Sequence, residues 1–271
     1  MKFALNGATT MTASLETDIR AAREAGFDGL EIWAAKLRVY LKTHSTAELK
    51  KLFDEHGVEV YSINSIEHIT FRDPNAYAAI LNECRELCGI AADLNCPYIV
   101  VVPGLMPAGA THEQVIEESA RVLHELADIA EAHNVKLAFE FLGQTDCSVQ
   151  TLEVAKEIVE RVGRQSVGLV IDSFHFYAGG SNATAIASLN PERLFIFHIN
   201  DAEDRPRAEL EDCHRLLPGL GILPLAQMIA AFRRINYDGV TSVEIFRPEY
   251  WERDPFELAK AARQALTNVM Q

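Results

Sequence analysis

Short runs of apolar residues alternate, along the whole chain, with longer stretches in which apolar residues recur every three or four positions. The short runs are typical of buried strands, and the longer stretches are typical of helices that turn one face toward a core. We predict eight strands, at residues 2–6, 30–33, 58–64, 98–102, 136–142, 167–172, 194–200 and 240–246.

Residues that start and stop helices bracket the amphipathic stretches. Ser14 or Thr12 can cap the first helix and Gly26 can end it, while Ser45 and Glu48 form a capping-box pattern before the second. We predict helices at residues 15–25, 46–56, 74–94, 111–133, 149–162, 183–189, 225–235 and 255–269. We predict loops at residues 36–44 and 201–221.

Strands and helices alternate strictly in this prediction, with eight of each. Parallel strands need crossover connections of this kind, and eight such units close a barrel. We therefore predict an α/β protein in which residues 1–271 form a single (β/α)8 TIM barrel domain, since no linker or change in composition divides the chain. A doubly wound open sheet is the main alternative, but it usually has fewer repeats, and no Gly-x-Gly-x-x-Gly motif follows the first strand.

The net charge narrows the classes of binding partner, and the cysteine content indicates the cellular compartment. A formal net charge of −14 at pH 7 opposes binding to nucleic acid and gives no reason to expect an anionic membrane surface. No apolar run is long enough to span a membrane, and the first residues are typical of a strand rather than of a signal peptide. Five cysteines, an odd number, make reduced thiols and a cytoplasmic location the simplest expectation.

A side chain of a type that binds metals stands near the end of each of the last four predicted strands. These residues are Glu140, Asp172, His198 and Glu244. Active sites of (β/α)8 barrels form at the carboxyl ends of the strands, so the barrel would bring the four side chains to one point. Two Glu, one Asp and one His suit Mn²⁺, Co²⁺, Zn²⁺ or Mg²⁺. The alternative for each residue taken alone is a paired core charge or a hydrogen-bonded core histidine.

Several short motifs follow one another in a specific order and spacing. They occupy residues 6–10, 140–141, 169–176, 197–201 with 203–204, 215 with 218–221, and 242–250. Together they resemble the xylose-isomerase-like sugar isomerase and epimerase superfamily, and most closely its 2-keto-myo-inositol (inosose) isomerases. The resemblance covers essentially the whole chain.

The resemblance implies a mechanism. Family members bind one divalent metal at the positions of Glu140, Asp172, His198 and Glu244, and the two glutamates flank the substrate as bases. We therefore expect a metal-dependent isomerase of a polyol ketone, with inosose as the best single substrate. A carboxylate would move a proton between adjacent carbons through a metal-stabilised cis-enediolate. The partner is then a small molecule, and a homo-oligomer is left open.

Seven further residues are candidate substrate contacts. The resemblance implies that His175 holds a substrate oxygen near the metal, and Asp146 falls where related sugar epimerases carry a substrate-binding carboxylate. Trp33 could form an apolar wall against the substrate. The full set is His175, Arg215, Arg247, His68, Trp33, Asn6 and Asp146. For each residue the competing interpretation is structural, as a backbone-bonded side chain, a salt bridge or simple packing.

Other functions use the same residue types. A ketose 3-epimerase or a hydroxypyruvate-type isomerase would share the proton-transfer chemistry, and a dehydratase of a cyclic ketone would expel a hydroxyl instead. A metal-dependent endonuclease on this fold would need a basic groove, which the net charge opposes. A non-catalytic sugar-binding protein would have no reason to keep all four metal-binding side chains.

Overall fold

The computed structural model describes residues 1–271, and its eight main strands are parallel and close into a barrel. The order around the barrel is β1-β10-β7-β6-β5-β4-β3-β2, so the first and last strands meet. The barrel strands are β1 (Lys2–Asn6), β2 (Gly29–Trp33), β3 (Glu59–Ile66), β4 (Tyr98–Val101), β5 (Lys136–Glu140), β6 (Val167–Asp172), β7 (Leu194–Ile199) and β10 (Val240–Val243). The predicted fold class is confirmed.

Helices connect the strands and surround the barrel. They are α1 (Leu15–Ala25), α2 (Ala34–Tyr40), α3 (Thr46–His56), α4 (Pro74–Asp93), α5 (His112–Ala132), α6 (Leu152–Val162), α7 (Ser173–Ala178), α8 (Ala183–Ile186), α9 (Leu225–Arg234), α10 (Pro248–Trp251) and α11 (Pro255–Met270). None of them is both long and apolar enough to cross a membrane.

The capping residues fix where the first helices begin and end. The Ser14 hydroxyl accepts a hydrogen bond from the Thr17 amide at the start of α1, and Gly26 ends that helix with a φ of 80°. At α3 the Ser45 and Glu48 side chains each bond the other's backbone amide, which completes the predicted capping box. These local signals explain why the predicted bounds of α1 and α3 match the observed ones.

Side chains that point inward from the strands form two layers inside the barrel, an apolar floor and a polar top. Ala4, Ala138, Val170 and Ile196 belong to a small apolar cluster inside the barrel, at or below 4% exposure. Successive side chains of a strand point to opposite faces, so the residue two positions further also points inward. Asn6, Glu140, Asp172 and His198 stand at those positions. Polar side chains therefore converge at the carboxyl end of the barrel, above a floor that excludes water.

The prediction of a loop at residues 36–44 is wrong over most of its length, because α2 occupies Ala34–Tyr40. The cause is a tertiary contact. The Lys36 ammonium is buried and donates to Asp18 Oδ2 at 2.6 Å and to the Thr10 carbonyl at 2.7 Å. Burial raises the pKa of Asp18 to about 7, although Lys36 and Thr10 oppose that shift. The ion pair ties α2 to α1, and the hydrogen bond to Thr10 ties α2 to the loop that follows β1.

Three other predictions, all in the second half of the chain, differ from the structure. The segment 201–221 contains a two-stranded antiparallel sheet, β8 (Asp201–Ala202) with β9 (Arg215–Leu216), rather than a continuous loop. A short helix, α7, directly follows β6, where none was predicted. The eighth barrel strand ends at Val243, so Glu244 lies just beyond it.

Replacing Lys36 by Met should lower the free energy of unfolding by about 3–5 kcal/mol, because Asp18 would remain buried without its cation. The double variant Asp18→Asn/Lys36→Met should recover most of the loss. Urea denaturation measures both changes. The control is Lys42→Met, an exposed lysine just beyond α2, which should change stability by no more than about 0.5 kcal/mol. An equal effect of Lys36→Met and Lys42→Met would contradict the assigned role of the ion pair.

Candidate metal centre and active site

Four buried side chains meet at the carboxyl end of the barrel. Glu140 ends β5, Asp172 ends β6, His198 lies in β7 and Glu244 follows β10. One imidazole nitrogen and three carboxylate oxygens, one from each residue, all lie within 4.8 Å of one another. The structure thus brings together the four residues that the sequence singled out.

The donor set fits a divalent cation. The Nδ1 atom of His198 lies 2.9 Å from Glu140 Oε1 and 3.4 Å from Glu244 Oε2. Three carboxylates packed around one imidazole in a buried site carry more negative charge than the imidazole can balance, and such charge is costly unless a cation compensates it. Oxygen and imidazole ligands of this kind suit Mn²⁺, Co²⁺, Zn²⁺ or Mg²⁺.

Arg215 supplies the fixed positive charge of the site. Its guanidinium is 1% exposed, and its Nη1 atom donates to Asp172 Oδ2 at 2.9 Å and to Glu244 Oε2 at 3.1 Å. Its Nη2 atom donates to Asp212 Oδ1 at 2.8 Å. Burial alone would lower the pKa of Arg215, but the surrounding carboxylates raise it above its ordinary value. One guanidinium cannot neutralise all of these carboxylates.

Glu244 is held from two directions. Its Oε1 atom accepts from Asn64 Nδ2 at 2.8 Å and from Asn6 Nδ2 at 3.0 Å. The buried Thr9 hydroxyl donates to the Val243 carbonyl at 2.9 Å and accepts from the Ile245 amide at 3.1 Å. Hydrogen bonds with Thr9 therefore hold the backbone on both sides of Glu244, although β10 ends at Val243.

Glu140 is less constrained. Its side chain has one hydrogen-bond partner in the protein, His198 Nδ1. Burial raises the pKa of Glu140 to about 7, with further increases from Glu244 and Asp172, although His198 acts in the opposite direction. The metal-free protein therefore holds a carboxyl group that can gain or lose a proton near neutrality.

Glu31 is a site residue that our sequence analysis missed. It is fully buried in β2, and its Oε1 atom lies 3.0 Å from His198 Nε2. Burial alone would lower the pKa of His198 and raise that of Glu31, but mutual attraction, with Glu244 and Glu140 also acting on His198, reverses both shifts. The signal was present in the sequence, because Glu31 interrupts an apolar strand just as Glu140 and Glu244 do.

A cavity of about 320 Å³ opens over the four-residue cluster. Of the predicted substrate contacts, Trp33, His68, His175 and Arg215 line it. Trp33 packs edge-on against Phe246 with the ring centroids 5.4 Å apart, and together they form an apolar wall. Other lining residues were not singled out from the sequence, namely Asn64 in β3 and Gln144, Asp212 and Phe246 outside the barrel strands.

The hydrogen bonds of His175 define its tautomer. Its Nε2 atom lies 3.0 Å from Arg215 Nη2, and a guanidinium can only donate. Nε2 must therefore accept, so Nδ1 carries the proton of the neutral ring. Burial and the neighbouring Arg215 both lower the pKa of His175, which favours that neutral form. Nδ1 is buried with no partner in the protein, so its N–H is a donor left without an acceptor.

Three predicted substrate contacts lie outside the cavity lining. Arg247 is occupied elsewhere, since its Nη1 atom donates to Glu203 Oε1 at 2.8 Å and its Nε atom lies 3.3 Å from Glu249. Asp146 is exposed in a neighbouring surface depression. Asn6 is fully buried beneath the site, where it bonds Glu31 and Glu244. Asn6 thus supports the carboxylates rather than facing the cavity.

Comparison with known proteins identifies relatives over the full length of the chain. The family described as the xylose isomerase-like TIM barrel matches residues 19–269. An inosose isomerase of Bacillus velezensis is 38% identical over 272 residues, which cover all of this chain and 97% of the relative. A D-psicose 3-epimerase of Enterocloster bolteae is 27% identical, with 82% of this chain and 73% of the relative covered.

A solved structure extends this similarity. A crystal structure of the IolI protein with a bound zinc atom superposes with a TM-score of 0.97 at 37% sequence identity. The match covers all of this chain and 98% of that one. A metal ion is therefore bound in a protein whose fold is nearly the same.

The contribution of Glu140 to the stability of the metal-free protein should fall as pH rises from about 4.5 to about 7. The folded-state pKa of Glu140, about 7, lies above its ordinary value of 4.5, so folding favours the protonated form. Relative to Glu140→Gln, the wild type should be most stable below about pH 4.5 and should lose up to about 3 kcal/mol by pH 7. Urea denaturation in the presence of a chelator, at a series of pH values, tests this. Parallel profiles for the two proteins would contradict it.

Proposed function

The chain belongs to the xylose isomerase-like TIM barrel family, and we propose that it is a divalent-metal-dependent inosose isomerase. One observation carries this proposal, namely that a chain 38% identical over its full length to an inosose isomerase buries Glu140, Asp172, His198 and Glu244 at one point. Its substrate is then a small polyol ketone.

Glu140, Asp172, Glu244 and the Nδ1 atom of His198 would hold the metal ion, which is Mn²⁺, Co²⁺, Zn²⁺ or Mg²⁺. When bound, the ion polarises the substrate carbonyl and stabilises negative charge as it develops on oxygen. Arg215 fixes Asp172 and Glu244 in position through its two ion pairs, at 2.9 and 3.1 Å. Both carboxylates are thereby ready to act as ligands.

Glu140 and Glu244 are the residues that move the proton. One carboxylate removes the proton from the carbon that bears the hydroxyl next to the carbonyl, and a proton returns to the former carbonyl carbon. The hydroxyl proton moves to the other oxygen, so that the carbonyl shifts by one carbon. Glu140 suits the first step because its only hydrogen-bond partner is His198, whereas two amides and Arg215 hold Glu244.

His175 and Arg215 orient the substrate. The free Nδ1–H of His175 donates to a substrate oxygen, and the Arg215 guanidinium faces the same cavity. Trp33 and Phe246 cover the apolar face of the ring and exclude water. Because Arg215 fixes the tautomer of His175, the donor is in place before substrate arrives.

A ketose 3-epimerase is the second candidate. The relative that supports it is the D-psicose 3-epimerase, 27% identical. The two glutamates approach the site from β5 and from the end of β10, which are separated by two strands in the barrel. Two bases on different sides of a substrate can remove a proton from one face and return it to the other, which inverts a carbon centre.

The decisive experiment is to assay chelated protein reloaded with Mn²⁺ or Zn²⁺ on inosose, with D-psicose as the competing substrate. We expect isomerised inosose that carries deuterium when the reaction runs in D₂O. Turnover of D-psicose alone would favour the epimerase, and a product lighter by one water would identify a dehydratase. No turnover of inosose would reject the proposed substrate.

Glu140→Gln and Glu244→Gln should each lower the turnover of inosose by at least about 100-fold, because an amide cannot accept the proton. Glu244→Gln should also weaken metal binding, as measured by calorimetry, while far-ultraviolet circular dichroism shows the fold retained. Glu160→Gln is the matched control, since that carboxylate is 63% exposed and pairs with Lys156 on α6. Activity retained in either active-site variant would remove that residue from the mechanism.

A further inference from the structure

Carboxylates lie close to both ring nitrogens of His198. On one edge, Nδ1 lies 2.9 Å from Glu140 and 3.4 Å from Glu244. On the other edge, Nε2 lies 3.0 Å from Glu31 Oε1, a close charge contact whose geometry is not that of a hydrogen bond. His198 and Glu31 both have 0% exposure, so water does not reach either partner.

Glu31 is itself held in place by the neighbouring strands. Ser62 of β3 donates its hydroxyl to Oε2 at 2.5 Å, and Asn6 of β1 donates its amide to Oε1 at 3.2 Å. The three residues are register partners, because Asn6 pairs with Glu31 and Glu31 pairs with Ser62 across the barrel wall. The barrel backbone therefore sets the position of the Glu31 carboxylate.

Glu31 does not belong to the group that could hold the ion directly. The four residues whose ligand atoms lie within 4.8 Å of one another are Glu140, Asp172, His198 and Glu244. Glu31 faces Nε2, whereas Glu140 and Glu244 face Nδ1 on the opposite edge of the ring. The imidazole ring therefore separates Glu31 from the place where the ion would lie.

The two tautomers of a neutral imidazole differ in which nitrogen can bind a metal. A neutral imidazole has one nitrogen with a proton and one with a free lone pair, and only the latter can bind a metal. An ionised carboxylate favours a proton on the nitrogen that it faces, so Glu31 favours a proton on Nε2. Glu140 and Glu244 favour one on Nδ1 while no ion is bound, and an ion held by these carboxylates would take the place of that proton. Carboxylates that orient metal-binding histidines in this way tune metal affinity.

We propose that Glu31 is a positioning residue of the metal centre, whose charge favours the proton on Nε2 of His198 so that Nδ1 is presented to the ion. This inference rests on the metal site of the proposed function. It assigns a role to β2, a strand that supplies no direct ligand. It also explains a buried carboxylate that the proton-transfer chemistry does not use.

The first test uses the unaltered protein. In protein labelled with ¹⁵N-histidine and loaded with Zn²⁺, long-range ¹H–¹⁵N correlation spectra should show His198 with a protonated Nε2 and a metal-bound Nδ1. A spectrum with the metal on Nε2 would overturn the inference without any substitution. Absence of stoichiometric Zn²⁺ would instead reject the metal site, and with it the inference, so the two failures are distinguishable.

The second test removes the carboxylate. Co²⁺ serves as the probe, because its visible absorption reports coordination geometry and calorimetry gives its affinity. Glu31→Gln, which keeps an acceptor but loses the charge, should weaken Co²⁺ binding by about 10-fold, and Glu31→Ala by up to about 100-fold. The absorption spectrum should change in the same order. Circular dichroism and urea denaturation establish that each variant is folded.

The matched control is Glu67→Gln, which removes an exposed carboxylate in the cavity wall that pairs with none of the four ligands. Its Co²⁺ affinity should change by less than about threefold, because solvent screens an exposed charge. Wild-type affinity and spectrum in both folded Glu31 variants would overturn the inference while leaving the metal site intact. If neither variant folds, the spectrum of the unaltered protein decides.

Discussion

The burial of several carboxylates around a single imidazole is the constraint on which the rest of this site depends. Glu31, Glu140 and Glu244 all lie within 3.4 Å of a ring nitrogen of His198, and Asp172 is buried beside them. Negative charge of this density is unfavourable in a water-excluded interior unless cations compensate it. Arg215 provides one fixed positive charge, and the remaining excess is the physical basis for expecting a divalent ion.

The barrel is what makes such a concentration of charge tolerable. Four strands, β1, β5, β6 and β7, place an apolar residue at the floor and a polar residue two positions further on, as Ala138 and Glu140 illustrate. Adjacent strands hold these polar residues in register, with Asp172 beside His198 and His198 beside Ser242. The backbone of the barrel therefore determines distances that flexible loops would leave variable. Fixed ligands of this kind lower the reorganisation that metal binding and catalysis require.

The two glutamates are chemically unequal although they are the same residue type. Glu244 is tied by two amides, by Arg215 and by the Thr9 hydroxyl beneath its backbone. Glu140 bonds only His198, and burial raises its pKa to about 7. Environments that differ in this way can separate the tasks of two carboxylates within one site. In the proposed mechanism, the same contrast suits Glu140 to carry the proton and Glu244 to anchor the ion.

The sequence by itself determined the barrel, the bounds of capped helices such as α1, and the four residues of the proposed metal centre. Each of these depends on local signals, namely apolar periodicity, capping side chains and a polar residue at the end of an apolar strand. Only the tertiary structure decided the helical state of α2, the contact of Glu31 with His198 and the exclusion of Arg247 from the cavity. These outcomes depend on pairs of side chains far apart in the chain, such as Lys36 with Asp18 and Arg247 with Glu203. Such pairs leave no periodic pattern in the sequence. They depend on how the helices and strands pack against one another, and local sequence patterns do not determine that packing.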